Sequence, residues 1–264
     1  MMGFLASIVA CCGQAPQMST RQGEGIRMAS LTERIKVGNQ EMALYVAVPS
    51  DTGPFPAIVV IQHGGGVDTF VRTMVDRLAT AGYAAVAPDL YHRLEPGVER
   101  TIRQLKDLEI IADVHATVDF LQHHQAIDSA SLGITGFCMG GRVTYLMAAA
   151  LPQFKAAVAY YGGNIMVPWG EGVVAPFART SEIRCPLMFH FGEEDTNPSL
   201  EDMRTLDAAL TRDHKEHVFY TYPNAGHAFM DFTNAQRHRD AAATASWPRT
   251  LDFFARHLRG VHVT

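Results

Sequence analysis

Long apolar runs are scarce in this chain of 264 residues. Outside a short stretch from Gly3 to Ala10, nothing approaches the roughly 20 consecutive apolar residues that a membrane-spanning helix needs. A basic stripe is missing too. The formal net charge is -5, with 22 Lys and Arg against 27 Asp and Glu, whereas nucleic-acid binding rests on clustered cations that neutralise phosphates. Neither a nucleic-acid nor a membrane partner is expected. The four cysteines, Cys11, Cys12, Cys138 and Cys185, do not form the spaced framework of a small secreted domain, which points to a reducing compartment, the cytoplasm. There is no His-Glu-x-x-His and no Cys-x-x-Cys pair, so neither a metal site nor a cofactor is expected. Repeats and low-complexity tracts are likewise absent. What remains is a mixed, soluble surface and 47% apolar residues, enough to fill one sizeable core.

Residues 1–30 read as a leader outside the fold, either without fixed structure or upstream of the true start, since Met18 and Met28 offer later starts. The alternative is an export signal or lipid anchor, because Ile8-Val9-Ala10-Cys11 loosely matches a lipoprotein cleavage site, although no Lys or Arg precedes the run. Residues 31–264 then form a single α/β domain. Cys185, just before Pro186 and an apolar run, reads as a core residue.

The patterning predicts an antiparallel hairpin over 32–49 turning at Gly38-Asn39, then alternating strands and helices. Strands are expected at 56–62, 83–87, up to Gly136, 156–161, 186–191 and 217–222. Helices are expected at 68–81, 99–125, 142–151, 199–211 and 240–258. For the long helix, Ile102, Leu105, Leu108, Ile111, Ala112, Val118, Phe120 and Leu121 make the expected inner face. An irregular loop spans 162–184. This rhythm implies a mainly parallel, doubly wound sheet covered by helices on both faces, the α/β-hydrolase arrangement, with ligands at the carboxyl ends of the strands.

One stretch stands out. Gly136-Phe137-Cys138-Met139-Gly140 has the form of the nucleophile elbow Gly-x-Ser-x-Gly with cysteine in the serine position. A tight strand-to-helix turn brings backbone segments too close for a Cβ, which is what the glycines supply. It lifts Cys138 to the sheet rim beside a helix N-terminus, where backbone N–H groups stabilise a thiolate or an oxyanion. After strand 186–191 come Glu193, Glu194 and Asp195, and after strand 217–222 comes His227. Nucleophile, acid, histidine is the chain order of the α/β-hydrolase triad. His227 would take the thiol proton, and Asp195, farthest into its turn, would hold the imidazole tautomer. Glu193 and Glu194 read as solvated loop acids. Of the twelve histidines, His123, His124, His214, His238, His257 and His262 fall on helices, helix ends or the tail and read as solvated. His63 ends a strand and opens His-Gly-Gly-Gly, an oxyanion-loop form, so the amides of Gly64 and Met139 become the candidate oxyanion hole. His63 itself reads as shaping that loop, with direct contact to the thiol as the alternative.

These residues resemble the dienelactone hydrolase family of α/β hydrolases. The resemblance runs from about Lys36 to Leu258. It is carried by Gly-Tyr-Ala-Ala-Val-Ala-Pro-Asp-Leu-Tyr at 82–91, Gly-Phe-Cys-Met-Gly-Gly at 136–141, Tyr-Tyr-Gly at 160–162, Asp195 and Gly-His-Ala-Phe-Met at 226–230. It implies a Cys-Asp-His triad without cofactor or metal, acting on lactone and ester bonds, with dienelactone (carboxymethylene butenolide) opening as the type activity. Two positions depart from that type. Where such members carry a glutamate touching the resting thiol, this chain has His63. Where they carry an arginine that holds the substrate carboxylate, four residues after the histidine, it has Asp231. An anionic substrate would therefore need Arg100, Arg103 or Arg237 to compensate. The loop 162–184, with Trp169 and Phe177, reads either as an apolar wall of the site or as a surface excursion that does not touch substrate.

Thiol chemistry narrows the substrate. A thiol of ordinary pKa near 8.5 is expelled from a tetrahedral intermediate more readily than an alkoxide. Turnover is therefore favoured for good leaving groups, in enol lactones and activated esters, or for alcohols that His227 protonates as they depart. The expected function is a cysteine-dependent hydrolase of small lactones or esters, as a monomer or small homo-oligomer. The alternative from another class is a binding or sensor protein with a reactive thiol.

Overall fold

The computed structural model describes residues 28–260. The bulk of the expected leader, with Cys11 and Cys12, and the tail with His262 lie outside the described residues. Strands β1 (Met28–Val37) and β2 (Gln40–Pro49) form the antiparallel hairpin, turning at Gly38 with φ +59°. β1 starts earlier than the alternation of apolar residues suggested. Met28, Ala29 and Ser30 pair with Pro49, Val48 and Ala47, so three residues assigned to the leader belong to the sheet. Backbone pairing needs no apolar side chain, and most of β1 is exposed.

Six further strands follow: β3 (Phe55–Ile61), β4 (Ala84–Pro88), β5 (Ile127–Phe137), β6 (Phe154–Tyr160), β7 (Leu187–Gly192) and β8 (His217–Tyr222). They make one eight-stranded sheet in the order β1-β2-β4-β3-β5-β6-β7-β8, parallel from β4 onward. β3 is covered on both faces: Val59 and Ile61 enter one core cluster, Ile58 and Val60 the other, all fully buried. That double covering is why its sequence reads as an unbroken apolar run. Helices α1 (Thr69–Thr80) and α5 (Asp240–Arg259) pack on one face. Helices α2 (Asp107–Gln122), α3 (Met139–Ala150) and α4 (Leu200–Arg212) cover the other. Asp68 caps α1 by accepting from Val71 N–H at 3.1 Å, and Ser199 with Asp202 forms a capping box on α4. Among the described residues, no helix is long and apolar enough to cross a membrane.

The helix expected over 99–125 is corrected. Residues 102–104 form a single 3-10 turn, the chain then runs extended through Leu105 and Lys106, and α2 begins at Asp107. Leu108 is 64% exposed and Ala112 is also exposed. The true inner face is Ile110, Asp113, Val114, Thr117, Val118 and Leu121. Two buried carboxylates, Asp107 and Asp113, occupy this helix because each has an arginine: Arg142 for the first, Arg93 for the second. Hydrophobic periodicity misses a face whose polar members are neutralised from another element.

Candidate active site

The elbow is built by steric necessity. Cys138 sits between β5 and α3 with φ +59° and ψ −120°, a conformation that bulky residues avoid and that is held here by its surroundings. A Cβ on Gly136 would overlap the backbone of Gly140, one on Gly140 would meet the carbonyls of Ile61 and Gln62, and one on Gly141 would meet Tyr160 O. The helix starts directly after the cysteine, so Gly140 and Gly141 lie inside its first turn and not before it. Cys138 N–H donates to Tyr160 O at 3.1 Å, tying the turn to β6.

Asp195 follows β7 and His227 follows β8. His227 Nδ1 lies 2.9 Å from Asp195 Oδ2, and the other carboxylate oxygen accepts Asn197 N–H at 2.9 Å. The Asp195 side chain is 1% exposed; Glu193 and Glu194 are exposed. With Nδ1 committed to the carboxylate, the other ring nitrogen of His227 is left to serve the Cys138 thiol, whose charged form is favoured by His227 and by the nearby backbone N–H groups of Met139 and Gly64. Burial pushes the thiol up, but the hydrogen bond and charge of His227 and the two amides outweigh it, so it lies below the ordinary value. Burial likewise pushes His227 down, and the Asp195 hydrogen bond followed by Cys138 raises it to about 10. Both directions favour thiolate paired with imidazolium. Cys185, by contrast, is pushed up to about 12 by burial, the behaviour of an inert core thiol.

The candidate oxyanion loop is braced from within. His63 Nε2 meets Asp68 Oδ2 at 2.9 Å, and its Nδ1 accepts Gly65 N–H at 3.3 Å. This fixes the ring in its own loop, and no hydrogen bond joins it to the thiol. Tyr91 donates to Gly64 O at 3.0 Å.

The other candidate contacts disperse. Arg100 bonds Asp89 at 3.3 Å and lies 5.7 Å over the Tyr91 ring, beside Gly66 of the loop. Arg103 is exposed. Asp231 caps its own turn, accepting Thr233 N–H at 3.0 Å and Thr233 Oγ1–H at 2.6 Å. Trp169 is not a free wall: Arg142 stacks on its ring at 3.8 Å, and its backbone exchanges hydrogen bonds with Asp107. Phe177 packs against the core cluster that holds α3. Arg237 borders an open cleft of about 430 Å³ with Asp195, Asn197 and His227.

Sequence reasoning missed Asn197, whose only signal was its place two residues after Asp195, and the buried Arg142–Asp107 pair at 2.6 Å. The pair joins elements 35 residues apart in the chain, and nothing local announces it.

The model of the dienelactone hydrolase family matches residues 42–258. A protein from Synechocystis named "Putative carboxymethylenebutenolidase" is 34% identical over 84% of this chain and 94% of its own length. A Bradyrhizobium protein named "Probable 2-oxo-3-(5-oxofuran-2-ylidene)propanoate lactonase" is 30% identical over 86% of this chain and 94% of its own. A crystal structure of a dienelactone hydrolase, likewise named as putative, from Klebsiella pneumoniae superposes with a TM-score of 0.80 at 30% identity, covering 87% of this chain and 99% of that one.

Proposed function

This chain belongs to the dienelactone hydrolase family, and from that premise we propose that it hydrolyses small lactones or carboxylic esters through an acyl-thioester on Cys138. The observation that carries the reading is the 2.9 Å link of His227 to the buried Asp195, and the lowering of the Cys138 thiol by His227 and the neighbouring Met139 and Gly64 amides supports it.

In the first step the thiolate attacks the carbonyl carbon. The carbonyl oxygen turns negative and takes the N–H groups of Gly64 and Met139, donors whose individual loss typically costs about 3 to 4 kcal/mol of transition-state stabilisation. His227 gives its proton to the departing oxygen as the C–O bond breaks. Water then enters, His227 takes its proton, and collapse of the second tetrahedral intermediate expels the thiolate. Asp195 steadies the imidazolium in both halves.

The substrate is neutral near its reacting end. Asp231, in the family's position for a carboxylate-holding arginine, is a charge of the wrong sign, and Arg100 is already engaged by Asp89. Of the candidate cations, Arg237 alone shares a cleft with His227, and Arg239 lines that cleft too, so it is there that a substrate carboxylate would meet a cation. A small-molecule substrate in the reducing cytoplasm suits a catalytic thiol, with no cofactor invoked. The test is Cys138→Ala beside Cys185→Ala on an activated aryl ester, with mass spectrometry for an acylated Cys138 peptide. Loss in the first variant alone, with the adduct in the parent, is expected; equal activity in both would overturn the reading.

A further inference from the structure

Tyr161 stands just beyond β6. Because β5 lies between β3 and β6, it flanks Cys138 on the side away from Gly64. Its φ of +38° is one that a bulky side chain rarely takes. The local packing holds it: the next residue, Gly162, runs so near Gly141 and Arg142 that a Cβ on it would overlap their backbone, while Tyr161 N–H donates to His190 O at 2.7 Å. The ring is held edge-on to His227 at 5.3 Å and to Phe229 at 5.1 Å.

The residue is 1% exposed, yet its hydroxyl has no hydrogen-bond partner. Met230 N–H approaches the oxygen without reaching ordinary hydrogen-bond geometry, and an N–H would in any case use a lone pair and leave the O–H free. Other buried tyrosines are satisfied: Tyr160 by Thr250, Tyr145 by Thr180, Tyr91 by Gly64 O. An orphaned buried donor opposes folding. Strain and an unspent donor coincide beside the nucleophile, the pattern of a functional position.

We propose that Tyr161 is a further catalytic residue, whose O–H donates a hydrogen bond to the single-bonded oxygen of the scissile ester or lactone as it departs. The inference rests on the acyl-thioester reading above. Gly64 and Met139 hold the carbonyl oxygen from the β3 side, so the oxygen presented toward β6 and His227 is the leaving one. When the C–O bond breaks, its electron pair goes to that oxygen, and the neutralising proton comes from the His227 imidazolium. Tyr161 keeps its own proton and shares the developing charge. In the second half-reaction the same donor meets the oxygen of the entering water. Burial, then the charge of the Cys138 thiolate, raises the phenol well above its ordinary value, so it stays a donor at any working pH. The consequence for substrate class is that ordinary alkyl esters and saturated lactones come within reach, beyond the activated ones a thiolate handles unaided.

The test is Tyr161→Phe, read as kcat/KM over acetate esters running from p-nitrophenyl through phenyl and trifluoroethyl to ethyl. Loss should grow with the basicity of the leaving group, from under about threefold at the activated end to about 10- to 100-fold at the ethyl end. The melting temperature should hold or rise, because the deleted oxygen bonds nothing. Tyr160→Phe, which removes a bonded hydroxyl next door, should lower the melting temperature and leave the leaving-group dependence as in the parent. Uniform loss across the series, no loss at the ethyl end, a parent that rejects alkyl esters, or a destabilised Tyr161→Phe would each overturn the proposal. Should Cys138→Ala stay active, the thioester reading itself fails; should it be dead while Tyr161→Phe keeps the parent's leaving-group dependence, the tyrosine proposal alone falls.

Discussion

Replacing Asp195 by Asn keeps the shape of the acid and removes its charge. The carboxylate accepts from His227 at 2.9 Å and from Asn197 N–H at 2.9 Å, so an amide there keeps its oxygen on the Asn197 N–H and turns its NH2 toward His227. The imidazole must then accept at Nδ1, and the proton is driven to the nitrogen that faces the thiol. The rise of His227 from 6.5 to about 10 is what remains after burial, the largest influence, has opposed the charge and the contacts with Asp195 and Cys138 have favoured it, a net of about 5 kcal/mol toward the imidazolium. Removing Asp195 takes away the foremost of the contacts that favour the imidazolium and leaves the wrong tautomer facing the thiol, a loss of about 10² to 10⁴ in rate. Two measurements check this. The kcat/KM for an activated aryl ester at neutral pH should fall by about 10² to 10⁴. The pH at which iodoacetamide alkylates the Cys138 peptide should move upward, because the thiolate has lost the cation that lowered it. Activity within about threefold of the parent, or an unmoved alkylation profile, would refute the argument that Asp195 sets the state of the pair.

Arg142→Met should destabilise the fold by about 3 to 5 kcal/mol, since it strands a buried Asp107 and frees the carbonyls of Asn164 and Val167 that the guanidinium holds. A fall of roughly 10 °C in melting temperature is expected, partly recovered by adding Asp107→Asn; a change of only a degree or two would contradict it. His190, fully buried between Tyr160 and Tyr220, is pushed down to about 3 by burial and then by Arg249. Neutral in the fold and protonated below 6.5 when unfolded, it contributes stability above pH 6.5 that drains away as pH falls toward 3. His227 works in the opposite sense, its contribution being full below 6.5 and lost as pH rises through about 10. Denaturant titrations at pH 7 and pH 5 should therefore show a loss that His190→Gln flattens. An identical acid decline in that variant would assign the effect elsewhere.

Much of this protein is legible in its sequence, for a common reason. Where the backbone must do something unusual, residue type records it locally. Gly136, Gly140 and Gly141 mark a turn that leaves no room for a Cβ, and the apolar runs of β3 and β6 mark strands covered on both faces. Alternation of strand and helix then sends Cys138, Asp195 and His227 to the same end of the sheet. Where the sequence misled, the deciding partner lay far along the chain. Leu108 has the spacing of a core residue yet faces out, because α2 turns its buried Asp107 and Asp113 inward toward arginines at 142 and 93. Trp169 looked free to wall a site until Arg142 claimed its ring.

Local composition thus determined the elbow, the glycine-rich loop at 63–66 and the strand-helix order, since each follows from sterics or periodicity within a few residues. Tertiary structure alone decided which buried polar groups are matched and which are not. Asp107 found its arginine, Tyr160 its threonine, and the hydroxyl of Tyr161 nothing. Pairing of that kind depends on how distant elements pack, and a side chain's chemistry does not encode who will stand opposite it.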